Sequence, residues 1–227
     1  MNINLNLIFN SMSLSREKEY LISELIRNGY LKTPKVVKAF KIVPREKFVP
    51  EKYKKFAYSD QPLPIGYGQT ISAPHMVAIM TELLEPKKTD KVLEIGSGSG
   101  YQAAILSRLV KFVYTVEFEK GLCEFAEKNL KNAGYRNIKI IRGDGSKGYQ
   151  KESPYDKIIV TCASEKIFPE WIEQLKTNGI IVAPIGSHWS QILTVGIKTK
   201  TGLQTKEYFN CVFVPLRKNY SDAESIS

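Results

Sequence analysis

From Asp90 onward the chain alternates short apolar runs with longer amphipathic stretches, and that rhythm governs the reading of the fold. Lys91–Ile95, Phe112–Val116, Ile138–Ile141, Lys157–Val160 and Ile180–Val182 are rich in aliphatic and β-branched residues and too short for helices, so they predict buried strands. Between them, Tyr101–Leu109, Lys120–Ala133 and Pro169–Leu175 read as helices. Strand and helix in alternation predict an α/β fold with a doubly wound, mostly parallel sheet. The tail departs from this rhythm. Ile192–Ile197, a turn at Lys200–Gly202 and then Tyr208–Val214 predict an antiparallel C-terminal pair finishing the sheet edge.

Ahead of Asp90 the pattern is helical and then broken. A helix is expected from about Arg16, with Ser15 as N-cap and Gly29 as its stop. Residues 1–12 stand apart from that pattern and are expected to be a disordered extension, with Met12 as the true start the alternative. Thr33–Pro34 opens a second helix, a cap followed by proline at the first helical position. Within it Lys35, Lys38 and Lys41 recur every three residues opposite Val36, Val37 and Phe40, the signature of one face turned to water. Pro44, Pro50, Pro62 and Pro64 then interrupt regular structure, leaving an irregular stretch up to Thr70. A loop of that length in a compact domain is usually functional or disordered. Another helix starts at Ala73–Pro74, for which Ser72 is the local N-cap.

Composition narrows the class. The 227 residues suit one α/β domain with an added element. No stretch approaches the ~18 consecutive apolar residues of a membrane span. The apolar patch Leu5–Phe9 has no basic segment before it and is too short for a signal-peptide core. A cytoplasmic location without membrane attachment is therefore expected. Cys123, Cys162 and Cys211 are odd in number and widely spaced, as expected of reduced thiols. With His75 and His188 the only histidines, no metal site is expected.

The net charge of +10 is unevenly spread. Lys32 to Lys55 holds nine basic residues (Lys32, Lys35, Lys38, Lys41, Arg45, Lys47, Lys52, Lys54, Lys55) against Glu46 and Glu51, a surplus of seven. Such a segment could form a collar for acidic substrates or nucleic acid. A solvated lysine face is the preferred reading, because charge runs usually are that.

The chemistry concentrates at the strand ends. Val92–Ile95 runs into Gly96-Ser97-Gly98-Ser99-Gly100 and then directly into a helix, with Glu94 two residues before the first glycine. Glycines there permit a tight turn and let a ligand approach the backbone. The spacing differs from the dinucleotide pattern G-x-G-x-x-G, because the third glycine comes one residue early, and the P-loop pattern is absent. A purely structural turn stays open on these residues alone. Glu117 closes the second strand, 21 residues beyond Gly96 (117 minus 96), where a carboxylate can accept from ribose hydroxyls. Asp144, in Gly143-Asp144-Gly145 after the third strand, could accept from an adenine amino group while the Gly145 N–H donates to the ring. Glu117 could instead be a surface residue and Asp144 a turn former. Three such features at the carboxyl ends of three successive strands nevertheless mark the edge where open sheets bind ligands.

Val92-Leu93-Glu94-Ile95-Gly96-Ser97-Gly98-Ser99-Gly100-Tyr101-Gln102 resembles the cofactor motif of the class I S-adenosylmethionine methyltransferases. Pro62-Leu63-Pro64-Ile65-Gly66-Tyr67-Gly68-Gln69-Thr70-Ile71-Ser72-Ala73-Pro74-His75-Met76 resembles the signature loop of one family among them, the protein-L-isoaspartate O-methyltransferases. Val43-Pro44-Arg45-Glu46-Lys47-Phe48-Val49, Gly143-Asp144-Gly145, Pro154-Tyr155-Asp156 and Phe213-Val214-Pro215-Leu216 agree with it. The resemblance covers the chain from about Ser13 to Arg217. It departs at Asn178, where a glycine is commoner; asparagine also enters the left-handed region.

The resemblance implies a Rossmann-like methyltransferase domain over residues 13–217. Helices and substrate loop would occupy 13–75 and the core 76–217, followed by a tail over 218–227. It implies S-adenosyl-L-methionine as cofactor, bound by Glu94, Gly96, Gly98, Gly100, Glu117, Asp144 and Gly145. It also implies methylation of the α-carboxylate of L-isoaspartyl residues in damaged proteins and peptides, the ester then collapsing to a succinimide. A carboxylate of pKa ~4 is already ionised at neutral pH and needs placement more than a base. Ser72 is the candidate catalytic residue, with Asp60, Ile71, His75, Val214 and Pro215 as the substrate-binding set. For His75 a structural role is the preferred reading. Asp60 and Leu63–Gln69 are expected to form a lid, with Gly66 and Gly68 giving it freedom. A monomer without metal, membrane or nucleic-acid partner is expected. The alternatives are a methyltransferase acting on nucleic acid or a small metabolite, and a binding module that has lost its activity.

Overall fold

The computed structural model describes residues 5–218, with side chains from Ser13. Helix α1 (Leu5–Arg27) starts well ahead of Arg16, so Ser15 lies inside it rather than at its cap. Of the expected extension 1–12, residues 1–4 lie outside the described residues. Gly29, at φ +71°, ends the helix as expected: the N–H groups of Tyr30 and Leu31 both reach back to the Leu25 carbonyl. Helix α2 (Pro34–Ile42) follows an extended Thr33. The main-chain N–H groups of Lys32 and Thr33 both donate to Glu82 Oε1 at 2.8 Å, which ties the start of α2 to a later helix. Lys35, Lys38 and Lys41 are exposed while Val36 and Phe40 are buried, as the three-residue spacing requires.

The proline-interrupted stretch is more regular than its sequence implies. Short 3-10 turns at Arg45–Phe48 and Glu51–Phe56 lead into an antiparallel hairpin, β1 (Leu63–Gly66) and β2 (Gln69–Ile71). Its two-residue turn, Tyr67–Gly68, has positive φ at both positions (+54° and +69°), the mirror-image turn whose twist suits a tight hairpin. Pro64 is tolerated because this sheet has only two strands, so every strand is an edge.

The remaining elements run in order: α3 (Pro74–Leu84), β3 (Lys91–Ile95), α4 (Tyr101–Ser107), β4 (Phe112–Glu117), α5 (Lys120–Asn132), β5 (Ile138–Arg142), β6 (Tyr155–Val160), α6 (Pro169–Gln174), β7 (Leu175–Gly186), β8 (Gln191–Thr199) and β9 (Gly202–Cys211). Seven strands form one sheet in the order β5-β4-β3-β6-β7-β8-β9, parallel as far as β7 and antiparallel beyond it. β7 begins at Leu175, earlier than the expected Ile180, through a register break opposite β6, and Asn178 takes the left-handed conformation at φ +64°. β9 ends at Cys211; Val212–Val214 leaves the sheet, and the Val214 carbonyl accepts from Ala163 N–H at 2.8 Å.

Neighbouring apolar residues of the central strands serve opposite faces. Val92 and Ile159 pack with residues of α1 to α5; Leu93, Ile158 and Val160 pack with Phe168 and Trp171 on the other side. Both faces are covered, which is why the strands read as unbroken apolar runs. After β3 the chain adds β4 on one side, and later β6 on the other. The crevice outside the carboxyl ends of β3 and β6 is the topological switch point, where ligands of open α/β sheets bind.

Candidate active site

The glycine turn after β3 forms the floor of that crevice. Gly96 sits at φ +97°, and a Cβ there would lie 2.7 Å from Thr161 Oγ1, so the backbone comes this close only without a side chain. The Gly98 N–H donates to Glu117 Oε2 at 2.8 Å. Glu117 Oε1 also accepts from the N–H groups of Phe118 (2.9 Å) and Glu119 (3.0 Å), so the carboxylate at the end of β4 is fixed rather than free to swing. Of the residues expected at a cofactor, Glu94, Gly96, Gly98, Glu117 and Gly145 line one cleft. Gly100 and Asp144 do not. Gly100 is a packing residue, its missing Cβ facing Leu130 at 3.2 Å, and Asp144 turns its Oδ1 to the Ser146 N–H (2.9 Å) and hydroxyl (2.7 Å). Asp144 therefore holds the turn that presents Gly145.

Glu94 is completely buried; among the described residues neither carboxylate oxygen makes a hydrogen bond of ordinary geometry, and the Thr115 side chain beside it is its polar neighbour. Burial, reinforced by the charge of Glu117, pushes its pKa up to about 8. A buried acid lining a cleft with no cation beside it among the described residues suits a cationic ligand group. Without ligand, a carboxyl whose folded pKa exceeds its unfolded value favours folding most below the unfolded pKa of 4.5, and that contribution is lost as pH rises through about 8. Glu94→Gln should thus raise the melting temperature of the ligand-free protein by roughly 5–10 °C at pH 9 and far less at pH 5. An equal change at both pH values in a thermal-shift assay would contradict this account.

The hairpin packs beside the cleft, its second strand lining it at Gln69–Ile71. Ile65 Cδ1 lies 3.4 Å from where a Gly98 Cβ would be, and the tip residue Tyr67 rests on Gly121 at the start of α5. Arg217 ties the tip down, donating from Nη2 to the Tyr67 carbonyl (2.9 Å) and from Nη1 to Glu119 (3.1 Å).

A second groove opens beside the first and is lined by Tyr30, His75, Met76 and Phe209–Val214. Thr70, Ser72, Thr161 and Val214 border both, so the two spaces meet there. Ile71 and Pro215 face the first space. Ser72 is not the N-cap of α3: that position is Ala73, without a side-chain bond, and the capping acceptor comes from Asp60. Asp60 Oδ1 takes both the His75 N–H and its ring Nδ1 at 2.9 Å; it borders neither space and acts by fixing His75. The Ser72 hydroxyl has no hydrogen-bond partner among the described residues, while its carbonyl accepts from Arg45 Nη2 at 2.8 Å.

Sequence reasoning passed over Thr161 and Cys162, although they follow β6 at the same sheet edge as Gly96 and Glu117, and position on that edge was the available signal. Arg217 left no such signal, because its partners are main-chain and side-chain atoms distant in sequence. Among the described residues no group of three histidine, cysteine or carboxylate side chains suits a metal, and no helix is long and apolar enough to cross a membrane.

A parallel sheet with an antiparallel end, a glycine turn at its switch point and a buried acid closing β4 define the class I S-adenosylmethionine-dependent methyltransferase fold. The family model of protein-L-isoaspartate(D-aspartate) O-methyltransferase matches residues 16–221, and the chain belongs to that family. It is 47% identical over 217 residues to the protein-L-isoaspartate O-methyltransferase of Methanopyrus kandleri, covering 92% of this chain and 96% of that one. Protein-L-isoaspartate O-methyltransferase 2 of Archaeoglobus fulgidus is 48% identical over 207 residues, 90% of this chain and 94% of its own. Among solved structures, a protein-L-isoaspartate O-methyltransferase superposes with a TM-score of 0.82 at 31% identity, over 89% of this chain and 66% of that one. A β-aspartate methyltransferase from Plasmodium falciparum, in complex with S-adenosyl-L-homocysteine, superposes with a TM-score of 0.78 at 28% identity, over 88% and 98% of the two chains.

Proposed function

We infer that the protein moves a methyl group from S-adenosyl-L-methionine to the α-carboxylate of L-isoaspartyl residues in damaged proteins and peptides. The observation that carries the reading is the junction at Ser72, where a cleft bearing two buried acids meets a second groove lined by Tyr30, His75, Met76 and Phe209–Val214. When bound, S-adenosylmethionine supplies an electrophilic sulfonium methyl. The residues present fit it: Glu94 is a buried acid without an ion pair among the described residues, suited to its ammonium, Glu117 an oriented acceptor for its ribose hydroxyls, and Gly145 a main-chain approach to its base.

Ser72 donates its hydroxyl to the substrate carboxylate and holds it at the junction. His75, fixed by Asp60, shapes the wall of the groove, and Val214 and Pro215 flank the acceptor. No general base is needed, since the carboxylate (pKa ~4) is ionised at neutral pH. The hairpin, acting as the lid, keeps water from the junction. A cytoplasmic location fits three free, buried thiols, and action as a monomer fits a site assembled within one chain.

The test offers labelled S-adenosylmethionine with matched peptides carrying L-isoaspartate, D-aspartate, aspartate or neither, and with RNA. Base-labile label on the isoaspartyl peptide, and none on the aspartyl control, is the expected result. Label on RNA alone would overturn the reading.

A further inference from the structure

Arg45 belongs to the basic run Lys32–Lys55, yet the structure buries it completely. A guanidinium in the interior is costly unless its donors are satisfied, and here main-chain dipoles do most of that work. Nε donates to the Ala57 carbonyl at 2.9 Å and Nη2 to the Ser72 carbonyl at 2.8 Å. The group also lies over the ring of Tyr101, 4.9 Å from its centroid. Among the described residues Nη1 makes no hydrogen bond of ordinary geometry and Arg45 makes no ion pair, its polar neighbours being Tyr101, Asp60 and Tyr58. Asp60 is near enough to be felt, but its Oδ1 is committed to His75. Burial lowers the Arg45 pKa to about 10, which leaves it cationic at neutral pH.

Two consequences follow from these contacts. The first is mechanical. Tyr101 opens α4 beside the glycine turn, and Ser72 sits where the two spaces meet, so one rigid guanidinium braces Ser72 against the cofactor side of the site. The second is electrostatic. A buried charge held mainly by main-chain dipoles, with no direct ion pair among the described residues and Asp60 acting only from a distance, favours an anion nearby over a neutral group of the same shape. We propose that Arg45 is the positioning residue of the acceptor site: it fixes Ser72 through its main-chain carbonyl, and its buried charge selects a carboxylate over a carboxamide at the junction.

The inference rests on the isoaspartyl reading, and the experiment separates the two. Wild type, Arg45→Lys and Arg45→Met are compared for binding of an isoaspartyl peptide and of the same peptide with its α-carboxylate replaced by carboxamide. Fluorescence anisotropy is read in the presence of S-adenosyl-L-homocysteine, whose own affinity is measured alongside. Wild type should prefer the carboxylate peptide by about 30-fold. Arg45→Lys, which keeps the charge, should retain that ratio within about threefold. Arg45→Met should lower it about tenfold, with S-adenosyl-L-homocysteine affinity changed less than about twofold. In turnover, Arg45→Lys should lose about tenfold in kcat at nearly unchanged KM for the peptide, because an ammonium cannot span Ala57 and Ser72 as a fork does.

Equal weakening of both peptides in Arg45→Met would mean ordinary structural damage and overturn the selectivity. If Arg45→Met does not fold, unchanged kcat in Arg45→Lys overturns the brace, and a lowered kcat at constant KM supports it. Wild type that neither binds nor methylates the isoaspartyl peptide would instead sink the underlying reading, and this proposal with it.

Discussion

Glu117→Ala should weaken S-adenosylmethionine binding by about 100-fold or more, the largest effect expected of a single substitution at this site. Glu117 is 8% exposed and its carboxylate is held by three main-chain N–H groups, from Gly98, Phe118 and Glu119, so its direction is set before any ligand arrives. A hydrogen bond to a charged acceptor contributes roughly 1.5–3 kcal/mol, and two ribose hydroxyls can use this one. Losing both corresponds to about 3 kcal/mol at the least, which is the hundredfold. Glu117→Gln should lose less, about tenfold, because one amide oxygen survives while its NH2 group confronts a donor. The charge of Glu117 also helps hold the Glu94 pKa up, so Glu117→Ala should make Glu94 easier to ionise in the ligand-free protein. Calorimetric titration of the three proteins checks the order; Glu117→Ala binding within about threefold of wild type would show that the acid does not hold the nucleoside.

The sheet was legible because parallel strands covered on both faces leave continuous apolar runs, and glycines between strand and helix locate the switch point. Hydropathy could not show that Val92 and Leu93 belong to different cores, since both are simply buried. The hairpin was illegible for a specific reason. Pro62 and Pro64 read as breaks, whereas a two-stranded ribbon has no interior strand for proline to disrupt, and the left-handed Tyr67 is an unusual turn residue. Asp144 was placed at the correct sheet edge, but a local bond to Ser146, two residues on, aims its side chain. Arg45 shows the limit of charge patterning most clearly. Its neighbours Glu46 and Lys47 remain more accessible, and only the tertiary position of the Ala57 and Ser72 carbonyls makes an interior guanidinium tolerable.

Ser72→Ala separates two roles that the sequence alone leaves entangled. Were Ser72 the N-cap of α3, removing its hydroxyl would cost about 1 kcal/mol, or roughly 2–4 °C in melting temperature for a domain of this size. The structure assigns capping to Asp60, which reaches α3 from 15 residues earlier in the chain, so Ser72→Ala should leave the melting temperature within about 1 °C. Asp60→Ala should instead lose the cap and release His75 with it. Activity should show the reverse order. Ser72 borders both cleft and groove, and its hydroxyl has no hydrogen-bond partner among the described residues, so its removal should lower kcat about 100-fold, the scale of losing one oriented donor at a reacting group. Cofactor affinity should change less than about twofold, because Glu94 and Glu117 are untouched. A melting temperature that falls while kcat holds would return Ser72 to a structural role; equal losses in kcat and cofactor affinity would place it on the wrong side of the junction.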